Sequence, residues 1–300
     1  MNTVLLKGKP VSENIYNNLI NRINSLKSVG ITPQLAAILI GDDPASQVYV
    51  RNKSRAFEKL NCKSQVFKLG VESSESAILD LINNLNSDDN IHGILVQLPL
   101  PKHLNSKTIL HSVSPNKDVD GFHPSNLGLL LEGNPFFIPC TPQGVIEILK
   151  YYNIEVSGMH AVIVGRSNIV GKPMFALLAQ KFEIGNATVT ICHTGTKDLE
   201  AYTIQADIII AAAGVPEMIK GNMIKKGVNI VDVGINRLDD NSEKGYKIVG
   251  DVDTDSVMGI AKSVTPVPGG VGPMTITMLL KNTVKSAEKF RQLTIARLNN

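Results

Sequence analysis

Lys53 carries the clearest chemical signal in this sequence. Residues 43–60 read as one helix: Asp43 can cap it and Pro44 suits its first turn. Tyr49, Ala56, Phe57 and Leu60 recur at helical spacing and make an apolar stripe. Lys53 falls in the middle of that stripe, one turn after Tyr49, while Arg51, Arg55, Glu58 and Lys59 take the solvated faces. A lysine pressed against an apolar face gives up its proton more readily. That supplies a neutral amine for acid–base chemistry near neutral pH. The other reading is a lysine that snorkels its ammonium to the edge of the stripe.

The second signal is a turn, Gly165-Arg166-Ser167-Asn168-Ile169-Val170-Gly171-Lys172-Pro173, between an apolar strand and a helix. Glycines let such a turn approach a ligand, and free amides at the helix start attract phosphate. The spacing departs from the usual dinucleotide pattern, so on spacing alone a nucleotide stays one of two readings. At the end of the next strand an NAD site usually places a carboxylate for the ribose 2′-hydroxyl. The residues here are Cys192-His193-Thr194-Gly195-Thr196, with no carboxylate. Arg166 can instead pair with a 2′-phosphate, which favours NADP, or form a surface ion pair. His193 alone reads as a solvated loop residue.

Two further segments have open readings. Lys117-Asp118-Val119-Asp120-Gly121 holds paired carboxylates, either a turn former or a site group if Asp120 faces the Lys53 crevice. The loop 265–273, dense in proline and glycine, is a stiff connector or a backbone wall against a flat ligand. The sequence has no Ser/His/Asp nucleophile pattern, Walker loop or metal-spaced His/Cys cluster, so no metal is expected. The acid–base candidates reduce to Lys53, Asp120 and the histidines.

These residues must be positioned by alternating elements. Helices are predicted over 11–29, 43–60 and 74–85, and strands over 35–40, 65–69 and 93–97. Such alternation implies a mostly parallel sheet, with ligands beyond the carboxyl ends of its strands. Lys53 and Gln97 then approach one crevice from different segments. A proline-punctuated crossing near 139 is expected to divide the chain. Strands follow at 161–164, 187–192, 207–213 and 229–233, then a terminal helix over 273–293. In the 300 residues, 43% are hydrophobic and 19% charged, enough for a well-buried core. A net charge of +3 without Trp or basic clusters argues against nucleic acid. Three scattered cysteines, no apolar run of bilayer length and no secretory start lead to an expectation of a cytoplasmic protein without membrane contact.

Taken together, several stretches resemble the bifunctional methylenetetrahydrofolate dehydrogenase/methenyltetrahydrofolate cyclohydrolase family. They are Tyr49-Val50-Arg51-Asn52-Lys53, Val96-Gln97-Leu98-Pro99-Leu100-Pro101, Lys117 to Gly121, Pro139-Cys140-Thr141-Pro142, the Gly165 turn, and Pro266-Val267-Pro268-Gly269-Gly270-Val271-Gly272-Pro273-Met274-Thr275. Thr194 stands where many relatives have serine, and Phe57 where many have cysteine.

The resemblance implies an α/β fold of two domains flanking a cleft, the second Rossmann-type. The expected bounds are 1–139 plus helix 273–300 for folate and catalysis, and 140–272 for NADP. It implies oxidation of methylenetetrahydrofolate by NADP and hydrolysis of the methenyl product. Lys53 would be the acid–base group, Gln97 its orienting partner, and Asp120 the pterin holder. Tyr49, Pro268, Gly269 and Gly270 would shape the folate slot. The cofactor set would be Gly165, Arg166, Ser167, Ile169, Gly171, Pro173, His193, Thr194, Ala213, Gly214, Gly234 and Ile235. A homodimer is also implied. The rival expectations are a dehydrogenase without the hydrolytic step and a non-catalytic dinucleotide-binding module.

Overall fold

The computed structural model describes residues 2–240 and 245–298, so the expected domain limits at 1 and 299–300 lie outside the described residues. The chain runs β1 (Val4–Leu5), α1 (Gly8–Lys27), β2 (Gln34–Ile40), α2 (Pro44–Lys59), β3 (Lys63–Leu69), α3 (Glu75–Ser87), β4 (Gly93–Val96), α4 (Ser106–Ser112), α5 (Pro124–Glu132) and α6 (Cys140–Tyr151). It continues through β5 (His160–Val164), α7 (Gly171–Ala179), β6 (Thr188–Cys192), α8 (Leu199–Thr203), β7 (Ile208–Ala211), β8 (Asn229–Asp232), β9 (Asn236–Asp239), β10 (Tyr246–Val249), α9 (Thr254–Val257), β11 (Ser263–Val264) and α10 (Val271–Leu298). These elements form two compact units. The first comprises Asn14–Leu129, Pro135–Cys140 and Ile276–Asn300; the second comprises Met1–Glu13, Leu130–Asn134 and Thr141–Thr275.

The first unit is built on a parallel sheet in the order β3-β2-β4. The central strand, Gln-Leu-Ala-Ala-Ile-Leu-Ile, is apolar almost throughout because neighbours cover both of its faces. Ala36, Ile38 and Ile40 pack with Ile78, Ile82 and Leu85 of α3 and with Ile94 and Val96 of β4. The α3 positions recur every three or four residues, so one stripe of that helix meets the sheet. Asp43 accepts the Ser46 N–H at 2.7 Å and starts α2, with Pro44 in the first turn. Ile94 N–H donates to the Lys117 carbonyl at 2.8 Å, tying the segment before Asp118 to β4.

The second unit holds a parallel sheet in the order β1-β11-β8-β7-β5-β6. After β5 the chain moves out to β6, then returns to the far side of β5 as β7. That reversal makes a switch point at the carboxyl ends of β5 and β7. Val162, Val164, Ile209, Ala211 and Ile230 form the core beneath it, with Val252, Val257 and Val264. The strands β9 and β10 make a separate antiparallel pair.

Several boundaries differ from expectation. The first residues group with the second unit, because β1 pairs with β11. A strand of two residues has no periodicity to read. Helix α10 starts at Val271, inside the Gly/Pro loop, and runs on to Leu298. The strands β7 and β8 stop at Ala211 and Asp232, leaving Ala213 and Val233 in turns. No helix among the described residues is long and apolar enough to cross a membrane.

Candidate active site

In the first unit Lys53 is 6% exposed, and α2 buries Ser46, Val50, Lys53 and Phe57 together. The buried stripe thus runs through Val50 rather than Tyr49. Tyr49 is rotated about 100° from Val50 around the helix and is 37% exposed. Lys53 Nζ donates to Gln97 Oε1 at 3.0 Å. Gln97 follows β4 and is itself held: its Nε2 donates to the Leu98 carbonyl at 2.7 Å and its N–H to the Ile38 carbonyl at 2.9 Å. Because the amide nitrogen is taken by Leu98, the oxygen end faces Lys53.

The Asp-x-Asp pair divides its work. Asp118 accepts the N–H groups of Phe122 at 3.1 Å and His123 at 2.8 Å, and Asn126 Nδ2 at 2.8 Å. It is the turn former, and burial pushes its carboxyl up to about 6 against those bonds. Asp120 is the carboxylate near Lys53. Burial pushes its carboxyl up, while the Lys53 charge pulls it down. The turn needs Gly121, which has φ +78 and whose Cβ would lie 2.7 Å from Pro139 N. Two residues missed in the sequence support the cluster from below. The Cys140 thiol donates to the Val119 carbonyl at 3.3 Å, and burial with the Asp120 charge pushes that thiol up. Asn282 Nδ2 donates to the Val119 carbonyl at 2.8 Å and the Ile138 carbonyl at 3.2 Å. No local signal marks Asn282, which reaches this segment from α10. Lys53, Gln97 and Asp120 together offer a held amine beside a carboxylate, a set suited to moving a proton.

In the second unit a cleft of about 400 Å³ opens at the switch point. Its walls are Val164 at the end of β5 and Gly165 to Ser167 after it, His193, Thr194, Thr196 and Leu199 after β6, and Ala212, Ala213, Val215 and Met218 after β7. Of the twelve expected cofactor residues, Gly165, Arg166, Ser167, His193, Thr194 and Ala213 line it. Val164, Thr196, Leu199, Ala212, Val215 and Met218 were missed; they meet only in three dimensions. Arg166 is the cation of the wall, and no carboxylate lines the cleft among the described residues. Gly165 has φ +129 and its Cβ would sit 2.1 Å from the Ala212 carbonyl oxygen. Ser167 Oγ accepts the Val170 N–H at 3.0 Å, leaving its own O–H to donate. Gly195 N–H donates to His193 Nδ1 at 3.0 Å, so a neutral His193 ring carries its proton on Nε2.

The other expected residues lie outside that wall. Gly171 packs on the Gly165 carbonyl, and Pro173 is buried in α7. Ile169 and Ile235 are exposed. The N–H groups of Ala213 and Gly214 donate to Asp251, and that of Gly234 to Asp232. Pro268, Gly269 and Gly270 also belong to the second unit, where Gly8 N–H donates to the Gly269 carbonyl at 2.9 Å.

Comparison with known proteins gives a consistent answer. Residues 6–120 match the model of the tetrahydrofolate dehydrogenase/cyclohydrolase catalytic domain, and residues 139–291 match that of the family's NAD(P)-binding domain. The bifunctional protein FolD of Chlorobium chlorochromatii is 50% identical over 97% of this chain and 100% of its own length. The crystal structure of the bifunctional enzyme FolD, a methylenetetrahydrofolate dehydrogenase/cyclohydrolase, from Campylobacter jejuni is 53% identical, with TM-score 0.90 over 96% of this chain and 99% of that one. The Trypanosoma brucei enzyme, solved with NADP cofactor and inhibitor, is 35% identical, with TM-score 0.91 over 96% of this chain and 98% of that one. This chain belongs to the tetrahydrofolate dehydrogenase/cyclohydrolase family.

Proposed function

We propose that this protein is a bifunctional one-carbon enzyme. It oxidises 5,10-methylenetetrahydrofolate with NADP and hydrolyses the resulting 5,10-methenyl cation to 10-formyltetrahydrofolate. The observation that carries the reading is the buried Lys53 amine held at 3.0 Å on Gln97, with Asp120 beside it. The unit with Lys53 binds folate and performs the hydrolysis. The unit with the Arg166 cleft binds NADP, which supplies the hydride acceptor when bound. Arg166 pairs with the 2′-phosphate, Ser167 and Thr194 donate hydroxyl protons to it, and the Gly165 turn lets the dinucleotide approach the backbone.

In the hydrolytic step water adds to the methenyl carbon and Lys53 takes a proton from it. The bond from that carbon to N5 then breaks, and N5 regains a proton. Gln97 Oε1 accepts one Lys53 N–H, which holds the amine in place. Asp120 accepts from the pterin ring, and Tyr49 stacks on the aminobenzoate. The protein works as a cytoplasmic homodimer, for which the open edge of β6 offers a surface; sedimentation at the mass of two chains is expected.

One assay tests the central reading. Methylenetetrahydrofolate and NADP are supplied, and NADPH and methenyl absorbance are followed together. NADPH should form without lasting methenyl absorbance. Accumulating methenyl would mean a dehydrogenase alone, and no NADPH would mean a binding module.

A further inference from the structure

Asp251 has no ion-pair partner among the described residues, yet it is fully buried. Its Oδ2 accepts two consecutive backbone N–H groups, Ala213 at 2.6 Å and Gly214 at 2.9 Å. Its Oδ1 accepts Asn236 Nδ2 at 2.9 Å. The two turn N–H groups can only donate, so position 251 must supply an acceptor, while the Asn236 amide can present either end. The fit is close, since a Cβ on Gly234 would lie 2.2 Å from Asp251 Oδ1. Asp251 therefore joins the turn after β7 to the turn after β8. Asp232 secures Asp251 in turn, accepting its N–H at 3.0 Å and that of Val252 at 2.8 Å.

The turn after β7 is a wall of the cleft, because Ala212 and Ala213 line it and the Ala212 carbonyl packs on Gly165. With both amides directed at Asp251, this turn has no N–H of residue 213 or 214 to give a phosphate. It can act only as a shaped backbone surface, and phosphate donors must come from the Gly165 turn.

We propose that Asp251 is a positioning residue for the dinucleotide, holding the Ala213–Gly214 turn in the shape that the bound cofactor requires. This rests on the reading of the second unit as the NADP-binding unit. A side chain without an acceptor at position 251 would leave both turn N–H groups unpaired and open the turn.

The test uses Asp251→Ala, with NADP binding by calorimetry and both activities measured. The Kd and KM for NADP should rise about tenfold or more, with kcat at saturating NADP within about threefold. Hydrolysis of methenyltetrahydrofolate supplied directly should stay within about twofold, which a merely structural role would not allow. Asp251→Asn keeps an oxygen for both turn N–H groups, and its NH₂ can donate to the Asn236 amide oxygen once that amide turns over. It should keep most of the NADP affinity. Asn236→Ala, a milder change that keeps both turn bonds, should weaken NADP in the same direction and covers the case in which Asp251→Ala fails to fold. An unchanged NADP Kd in both Asp251→Ala and Asn236→Ala would overturn the inference, as would parallel loss of both activities. If the unaltered protein bound no NADP, the reading of the second unit would fail, and this inference with it.

Discussion

Lys53 is aimed by a chain of contacts: its amine is held by Gln97 Oε1, and the Gln97 amide is oriented by Leu98. Replacing Gln97 with Leu keeps the volume and removes the acceptor. Hydrolysis of methenyltetrahydrofolate should then fall about a hundredfold, while NADPH formation from methylenetetrahydrofolate survives; stopped-flow rates for each step separate the two. At the other site, Arg166 is exposed, so its worth lies in what it binds rather than in stability. Arg166→Ala should raise the KM for NADP about tenfold or more and leave that for NAD nearly unchanged. Equal effects on both cofactors would remove the 2′-phosphate role. Residue types alone pointed to Lys53, Gln97, Asp120 and Arg166. They named Asp120 as the site carboxylate of its pair only on the condition that it faces the Lys53 crevice, because either member of such a pair can cap a turn. Only the bonds to Phe122, His123 and Asn126 decide it.

Among the elements, α2 brings Lys53 to Gln97 through its packing, and Phe57 anchors the stripe one turn beyond the lysine at 0% exposure. Phe57→Ala should destabilise the protein by about 3–5 kcal/mol, measured by urea unfolding, and should lower hydrolysis at temperatures where the fold persists. Long periodic segments such as α1, with Ile15, Leu19, Ile23 and Leu26 all buried, were legible in the sequence because burial repeats with the helix period. The stripe of α2 was read one position away, through Tyr49, because Tyr49 and Val50 are both apolar neighbours and only packing chooses between them. What could not be read are contacts across long separations. Asn282 meets Val119 from 163 positions away, and Asp251 meets Ala213 from 38. The pairing of β1 with β11 joins strands of two residues, too short to carry a pattern.

On the scale of the whole molecule, each unit carries a buried carboxyl pushed up from 3.8 to about 6 by burial, Asp118 in the first and Asp232 in the second. A raised folded value means the folded chain binds the proton more tightly than the unfolded one. The stability each group contributes is therefore full below about pH 4 and lost as pH rises through 6. A shift of this size corresponds to roughly 3 kcal/mol per group. Urea unfolding of the unaltered protein should show this dependence between pH 4 and 7, and Asp118→Asn should have a shallower one; equal slopes would contradict the assignment. The two activities are expected to separate on the same scale, because Lys53 lies in one unit and the cleft lined by Arg166 in the other. The most direct test is Lys53→Met supplied with methylenetetrahydrofolate and NADP, following NADPH and methenyl absorbance together. NADPH should still form while methenyl accumulates, with its hydrolysis slowed about a hundredfold or more; 10-formyltetrahydrofolate appearing at the normal rate would contradict the role of Lys53.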